Sequence, residues 1–221
     1  MADARLRAPA PPATNTNEPE PVVADPREAV VLNHLRKSRE AMARAEDDAA
    51  LVAIVAKIAD AISRSLKGGG KVLFAGNGGS ASDAQHIAAE FVGRYISDRA
   101  PLAAIALTTD TSALTAIGND YGFDHVFERQ LRALGKTGDV FVGISTSGKS
   151  PNLLAAFKAA RDMGIVCVGF TRSANTPMHA LCDLTLGVPA TETALIQQVH
   201  ITAAHAICAL VERDMFGITH G

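Results

Sequence analysis

Tryptophan is absent from the 221 residues, and aromatic side chains make up only 5% of them. A surface that stacks bases on aromatic rings is short of material here. Charge of one sign is also missing: 21 Lys and Arg stand against 23 Asp and Glu, for a formal net charge of −2. No basic stripe marks a nucleic-acid binder, so no nucleic-acid partner is expected. Three cysteines occur, Cys167, Cys182 and Cys208, with no CxxC spacing. That argues against a disulfide framework and a thiolate zinc knuckle; it fits small buried hydrophobes in a reducing compartment. Apolar runs read as too short to span a membrane, so no membrane partner is expected. The first residues carry no apolar core of a secretory signal, and a cytoplasmic protein is the expectation.

What is present is an ordinary globular balance, 48% apolar and 20% charged. Most of the ten prolines fall in residues 1–26, among Ala, Thr, Asn and Glu. That composition cannot bury enough to order itself, so residues 1–26 read as a disordered tail and 27–221 as one domain. From Arg27 two helical patterns follow, ended by the glycines at 68–70. Short apolar runs then alternate with helices. The strands are expected at 71–76, 102–108, 139–145, 165–171 and 183–189. The helices are expected at 80–95, 111–118, 123–134, 151–163 and 176–181, with a long one at 192–215. Nearly all-apolar strands require cover on both faces, which predicts an α/β, doubly wound, five-stranded parallel sheet with N-terminal helices. Function in such a fold lies at the carboxyl ends of the strands.

Three of those ends carry polar chemistry. After the first strand comes "GNGGSASDAQHIAAEF". Its glycines let backbone N–H groups approach an anion at a helix start; the blander reading is a tight turn capped by Ser80. His86 and Glu90 follow at i and i+4, on one helical face. They can hold a metal or exchange protons, or form a plain surface ion pair. After the third strand, "GISTSGKS" matches the letters of a nucleotide-binding P-loop. Pro151 follows at once and prefers the first helical position, which makes Ser150 the N-cap and leaves Lys149 in the loop. Asp110, the nearest acidic partner for a magnesium ion, stands behind two threonines. The loop therefore reads as hydroxyl and backbone donors around a phosphomonoester, or as a serine-rich turn. The last helix is apolar almost all round, which expects burial, and it carries Gln197, Gln198, His200 and His205. Spacing alone would pair Gln197 with His200.

Together, "GNGGSASDAQHIAAEF", "TSALTAIGNDYGFDHVF", "GDVFVGISTSGKSPN" and "IQQVHITAAHAICALVE" resemble the phosphoheptose isomerase family of the sugar-isomerase (SIS) fold, a flavodoxin-like sandwich. The resemblance spans about residue 30 to 216. It implies conversion of sedoheptulose 7-phosphate to D-glycero-D-manno-heptose 7-phosphate, which feeds lipopolysaccharide or other surface glycans. It implies one zinc ion per subunit, held by His86, Glu90, Gln197 and His205. Glu90 and His205 are the implied acid–base pair. Asn77, Gly78, Gly79, Asn119 and Asp120 would line the sugar, with Glu90 and Gln197 also touching substrate. Ser80, Ser145, Thr146, Ser147 and Ser150 would hold the phosphate. A homotetramer with active sites at subunit interfaces is implied as well. The family tolerates Asn where this chain has Lys149, so the P-loop letters read as accidental. Some SIS relatives are non-catalytic regulators that bind phosphosugars or partner proteins, and that is the competing reading.

Overall fold

The computed structural model describes residues 25–218. The expected tail lies outside them except for its last two residues, and Pro26 already opens the first helix, α1 (Pro26–Asp47). The chain divides into two compact units at Leu35. In the first, described from Asp25, the Asp25 carboxylate accepts from the Arg27 backbone N–H at 2.8 Å and from its guanidinium at 2.6 Å.

The second unit holds the rest of α1, then α2 (Ala49–Lys67), β1 (Val72–Gly76), α3 (Gly79–Val92), β2 (Ala104–Ala106), α4 (Thr111–Tyr121) and α5 (Val126–Leu134). It continues with β3 (Val140–Ile144), α6 (Pro151–Asp162), β4 (Val166–Arg172), β5 (Leu184–Val188) and α7 (Thr193–Phe216). The five strands form one parallel sheet in the order β2-β1-β3-β4-β5. Strand alternation supplies both faces. Val72, Phe74, Val140, Val142, Val168 and Phe170 pack with α2, α3 and α7. Leu73, Ala75, Phe141 and Cys167 pack with α5 and α6. Cys167 and Cys208 are buried and Cys182 is partly so, all three as free thiols. Burial pushes each thiol up to about 12.

Several expected boundaries move. β2 keeps only Ala104–Ala106 of the expected 102–108: Leu102 N–H leaves the sheet for the Phe91 carbonyl at 3.0 Å, and Leu107 N–H makes the last rung to Phe74 at 2.8 Å. The helix expected at 123–134 begins with a 3-10 turn, Phe123–His125. The one expected at 176–181 shrinks to the turn His179–Leu181, since the Thr176 hydroxyl bonds His179 Nδ1 at 2.9 Å. Asp110 is no magnesium ligand in waiting: it caps α4, accepting from Ala113 N–H at 2.9 Å. The reading that no apolar run is long enough for a membrane is corrected by α7, which passes on length and composition. Half of its most apolar window is buried within the fold, as in the core helix of a globular protein.

Candidate active site

β1 and β3 are neighbours in register, Gly76 opposite Ile144, so the loops that follow them emerge side by side at the carboxyl edge. The first reverses at Gly78 with φ +57, a conformation open to glycine, and α3 starts at Gly79. Ser80 is therefore inside the first turn of α3 and not its N-cap, as the blander reading had it; it is buried, and its N–H reaches the Asn77 carbonyl at 3.1 Å. The second loop ends as expected, with Ser150 at the N-cap of α6 and Pro151 after it. Its hydroxyls converge: Ser145 Oγ lies 3.3 Å from Ser147 Oγ and 3.0 Å from Ser150 Oγ, and accepts from Gly148 N–H at 3.1 Å. Thr146 sits half-buried on the same turn, while Lys149 is exposed. Gly148 takes φ +63, and a Cβ there would stand 2.7 Å from Thr171 Oγ1 and closer still to Thr176 Oγ1.

Asn152 ties the two loops together, a role that no motif or spacing in the sequence marks. Its side chain is 2% exposed and exchanges amide hydrogen bonds with Asn77, at 3.0 and 2.9 Å. Asn77 is thus fixed over the junction between the glycine turn and the serine loop.

On α3, the face shared by His86 and Glu90 meets α7. His86 Nε2 lies 3.3 Å from Glu90 Oε1 and 3.0 Å from His205 Nε2. The ligand atoms of all three residues fall within 4.8 Å of one another. A tetrahedron with bonds of about 2.0–2.1 Å has edges of about 3.3 Å, so these separations suit donors to one cation. Two imidazole nitrogens and a carboxylate are also the donor types zinc accepts. The Tyr95 ring stacks on His205 at 5.5 Å and 18°.

Gln197 and His200 stand elsewhere. Gln197 lies across the start of α3, where a Cβ on Gly79 would touch its amide, and it donates to Asp83 Oδ2 at 3.2 Å. Along α7 it is about 12 Å from His205. Asp83 is a further residue missed from the sequence, one turn before His86. Burial raises its carboxyl above the usual range, with the Gln197 bond and the His86 charge opposing. Asn119 and Asp120 are exposed near the end of α4, where the Asn119 amide donates to Asp120 at 2.8 Å.

The SIS domain family matches residues 33–172. The phosphoheptose isomerase of Bradyrhizobium sp. (strain ORS 278) is 56% identical over 190 residues, 86% of this chain and 96% of its own. The chain belongs to the phosphoheptose isomerase family. The solved phosphoheptose isomerase of Neisseria gonorrhoeae, 46% identical, superposes with a TM-score of 0.79 over 84% of this chain and 98% of its own. That of Francisella tularensis, 34% identical, gives 0.80 over 85% and 98%. This similarity favours an isomerase over the non-catalytic regulator.

In this phosphoheptose isomerase family member, His200 is a structural residue. It is 1% exposed, and its Nε2–H donates to the Thr171 carbonyl at 3.1 Å. Burial pushes its imidazole down to about 4 from 6.5, with the Thr171 bond opposing. The unfolded chain thus takes up a proton near pH 6.5 that the folded chain refuses until about pH 4. The stability tied to neutral His200 is whole above that window and lost as pH falls through it, on the order of 3 kcal/mol in all. Thermal melts should show this acid slope in the wild type and a flatter one in His200→Gln, whose amide keeps a donor. Equal slopes would contradict the assignment.

Proposed function

We propose that this chain isomerises sedoheptulose 7-phosphate to D-glycero-D-manno-heptose 7-phosphate, the first step of heptose supply for lipopolysaccharide or other surface glycans. One observation carries the reading. A hydroxyl-lined anion loop follows β3, and a His–Glu–His cluster joins α3, the helix after the neighbouring strand β1, to α7, which suits an enzyme with a phosphate anchor and a centre of proton transfer. Ser80, Ser145, Thr146, Ser147 and Ser150 hold the phosphate with backbone N–H groups. Asn77, Gly78 and Gly79, with Asn119 and Asp120, line the sugar.

The reaction moves one carbon-bound proton and one oxygen-bound proton. Glu90 takes the proton from C1 of the ketose and returns it to C2 of the enediol. His205 moves the hydroxyl proton from O1 to O2, so the atoms balance and no redox partner is needed. Zinc, one per subunit, would be held by His86, Glu90, His205 and Gln197; when bound, it supplies positive charge against the enediolate oxygen. Gln197, Asn119 and Asp120, which one chain keeps apart from the cluster, join it from neighbouring copies in a homotetramer with interfacial sites.

An apolar groove of about 690 Å³ supports that assembly; Met42, Leu51, Val55, Val199, Ala203 and Leu210 are among its lining. Val52 lines it too and is 54% exposed in the single chain. Val52→Asp should shift the tetramer to smaller species in light scattering and lower turnover with it. An unchanged tetramer would place the interface elsewhere. A cytoplasmic location agrees with a phosphorylated sugar substrate.

The functional test is conversion of sedoheptulose 7-phosphate by the purified chain, followed by NMR with and without chelator. The aldose should form, and chelator should suppress it. No aldose under any metal condition contradicts the proposal.

A further inference from the structure

One buried ion pair holds the end of α3 against α7. Arg99 and Glu212 side chains are 3% and 1% exposed, with Arg99 Nε 3.0 Å from Glu212 Oε1. The same guanidinium donates to the Glu90 carbonyl at 2.7 Å, to Phe91 at 2.8 Å, and to Gly93 and Ala100 at 3.1 Å. Carbonyls of a last helical turn have no partner within their own helix, so Arg99 occupies a vacant role there. Glu212 stands on α7, two turns after His205. It accepts from Tyr95 N–H at 3.0 Å and from Ser97 N–H at 3.4 Å. Burial would raise the Glu212 carboxyl, but these bonds outweigh it and hold it below its usual range. Tyr95, anchored in this way, lays its ring on His205.

The contacts form a closed circuit. Arg99 grips the backbone of Glu90 itself. Glu212 ties that grip to the helix bearing His205. Tyr95 closes over the His205 ring. A buried ion pair is a poor device for stability alone, because apolar residues of equal volume serve as well. A fan of directed hydrogen bonds instead fixes the position of what it holds. We propose that Arg99, Glu212 and Tyr95 are positioning residues that set the spacing of Glu90 and His205, and thereby the metal affinity and turnover of the site. The proposal rests on the metal-assisted isomerase reading. It assigns none of the three a contact with substrate.

The test uses the full-length chain and zinc as the probe, in competition with a chromophoric chelator, beside kcat and KM. Removing one charge would strand the other, so the variant is Arg99→Met with Glu212→Leu. The fold and oligomer should survive. Zinc affinity and kcat should each fall by about 10–100-fold, the usual effect of losing a partner behind a metal ligand. KM should stay near wild type, because the serine loop is anchored separately. A folded double variant with wild-type zinc affinity and kcat overturns the proposal. If the double variant does not fold, Tyr95 decides. Tyr95→Phe keeps the ring and should behave as wild type, whereas Tyr95→Leu should lose about tenfold in zinc affinity. Equal affinity in Phe and Leu variants also overturns it. A wild type that binds zinc but makes no aldose contradicts the substrate reading, and zinc competition still judges this one. A wild type that binds no zinc contradicts both.

Discussion

Glu90→Gln should lower turnover by about 10²–10⁴-fold, the range for losing a general base, while the oligomeric state and melting temperature stay close to wild type. The substitution keeps the side chain's shape and stem. Glu90 projects from the face of α3 that meets His205, so the core packing of Ile87 and Phe91 on the same helix is untouched. What changes is chemistry. An amide cannot accept the C1 proton, and it is a weaker metal donor than a carboxylate. Zinc content should therefore fall in parallel with kcat. His205→Ala should act in the same direction. His200→Ala should be milder in turnover, because His200 bonds the Thr171 carbonyl away from the cluster. Elemental analysis beside kcat for each variant checks this. An active Glu90→Gln with full metal content would remove Glu90 from both roles.

Ser147→Ala should cost about 1–3 kcal/mol in kcat/KM, the worth of one hydrogen bond to a charged group. Ser147 Oγ belongs to the hydroxyl cluster with Ser145 and also accepts from Lys149 N–H at 3.3 Å, which shapes the turn. Lys149→Asn should do little by comparison. Its side chain is exposed ahead of the Ser150 cap, so it stands outside the turn of the helix where a P-loop lysine belongs. Steady-state kinetics on both variants separate the cases. A silent Ser147→Ala with a dead Lys149→Asn would mean that the loop binds through its lysine.

The sheet was legible because its strands are short, largely apolar runs, and the central ones find cover on both faces. Val72 and Phe74 face one layer, Leu73 and Ala75 the other. Ser150 before Pro151 was legible because proline fixes the first helical position locally. The alternative that Ser80 caps the helix fails for a local reason as well: Gly78, with its positive φ, makes the reversal and leaves Ser80 inside the helix. His86 and Glu90 could be paired by period, but nothing in the period selects His205 over His200 as their neighbour. That choice depends on how α7 lies against α3. Asn77 with Asn152, Gln197 with Asp83, and Arg99 with Glu212 are 75, 114 and 113 residues apart. No window along the chain contains such pairs, so only the packed fold reveals them.

The most direct measurement follows sedoheptulose 7-phosphate by ¹³C NMR with zinc-loaded wild type and with Glu90→Gln at equal concentration. Under the proposed mechanism the wild type builds up D-glycero-D-manno-heptose 7-phosphate, while the variant lags by about two orders of magnitude or more. No aldose from the zinc-loaded wild type, or equal rates from the two proteins, would contradict it.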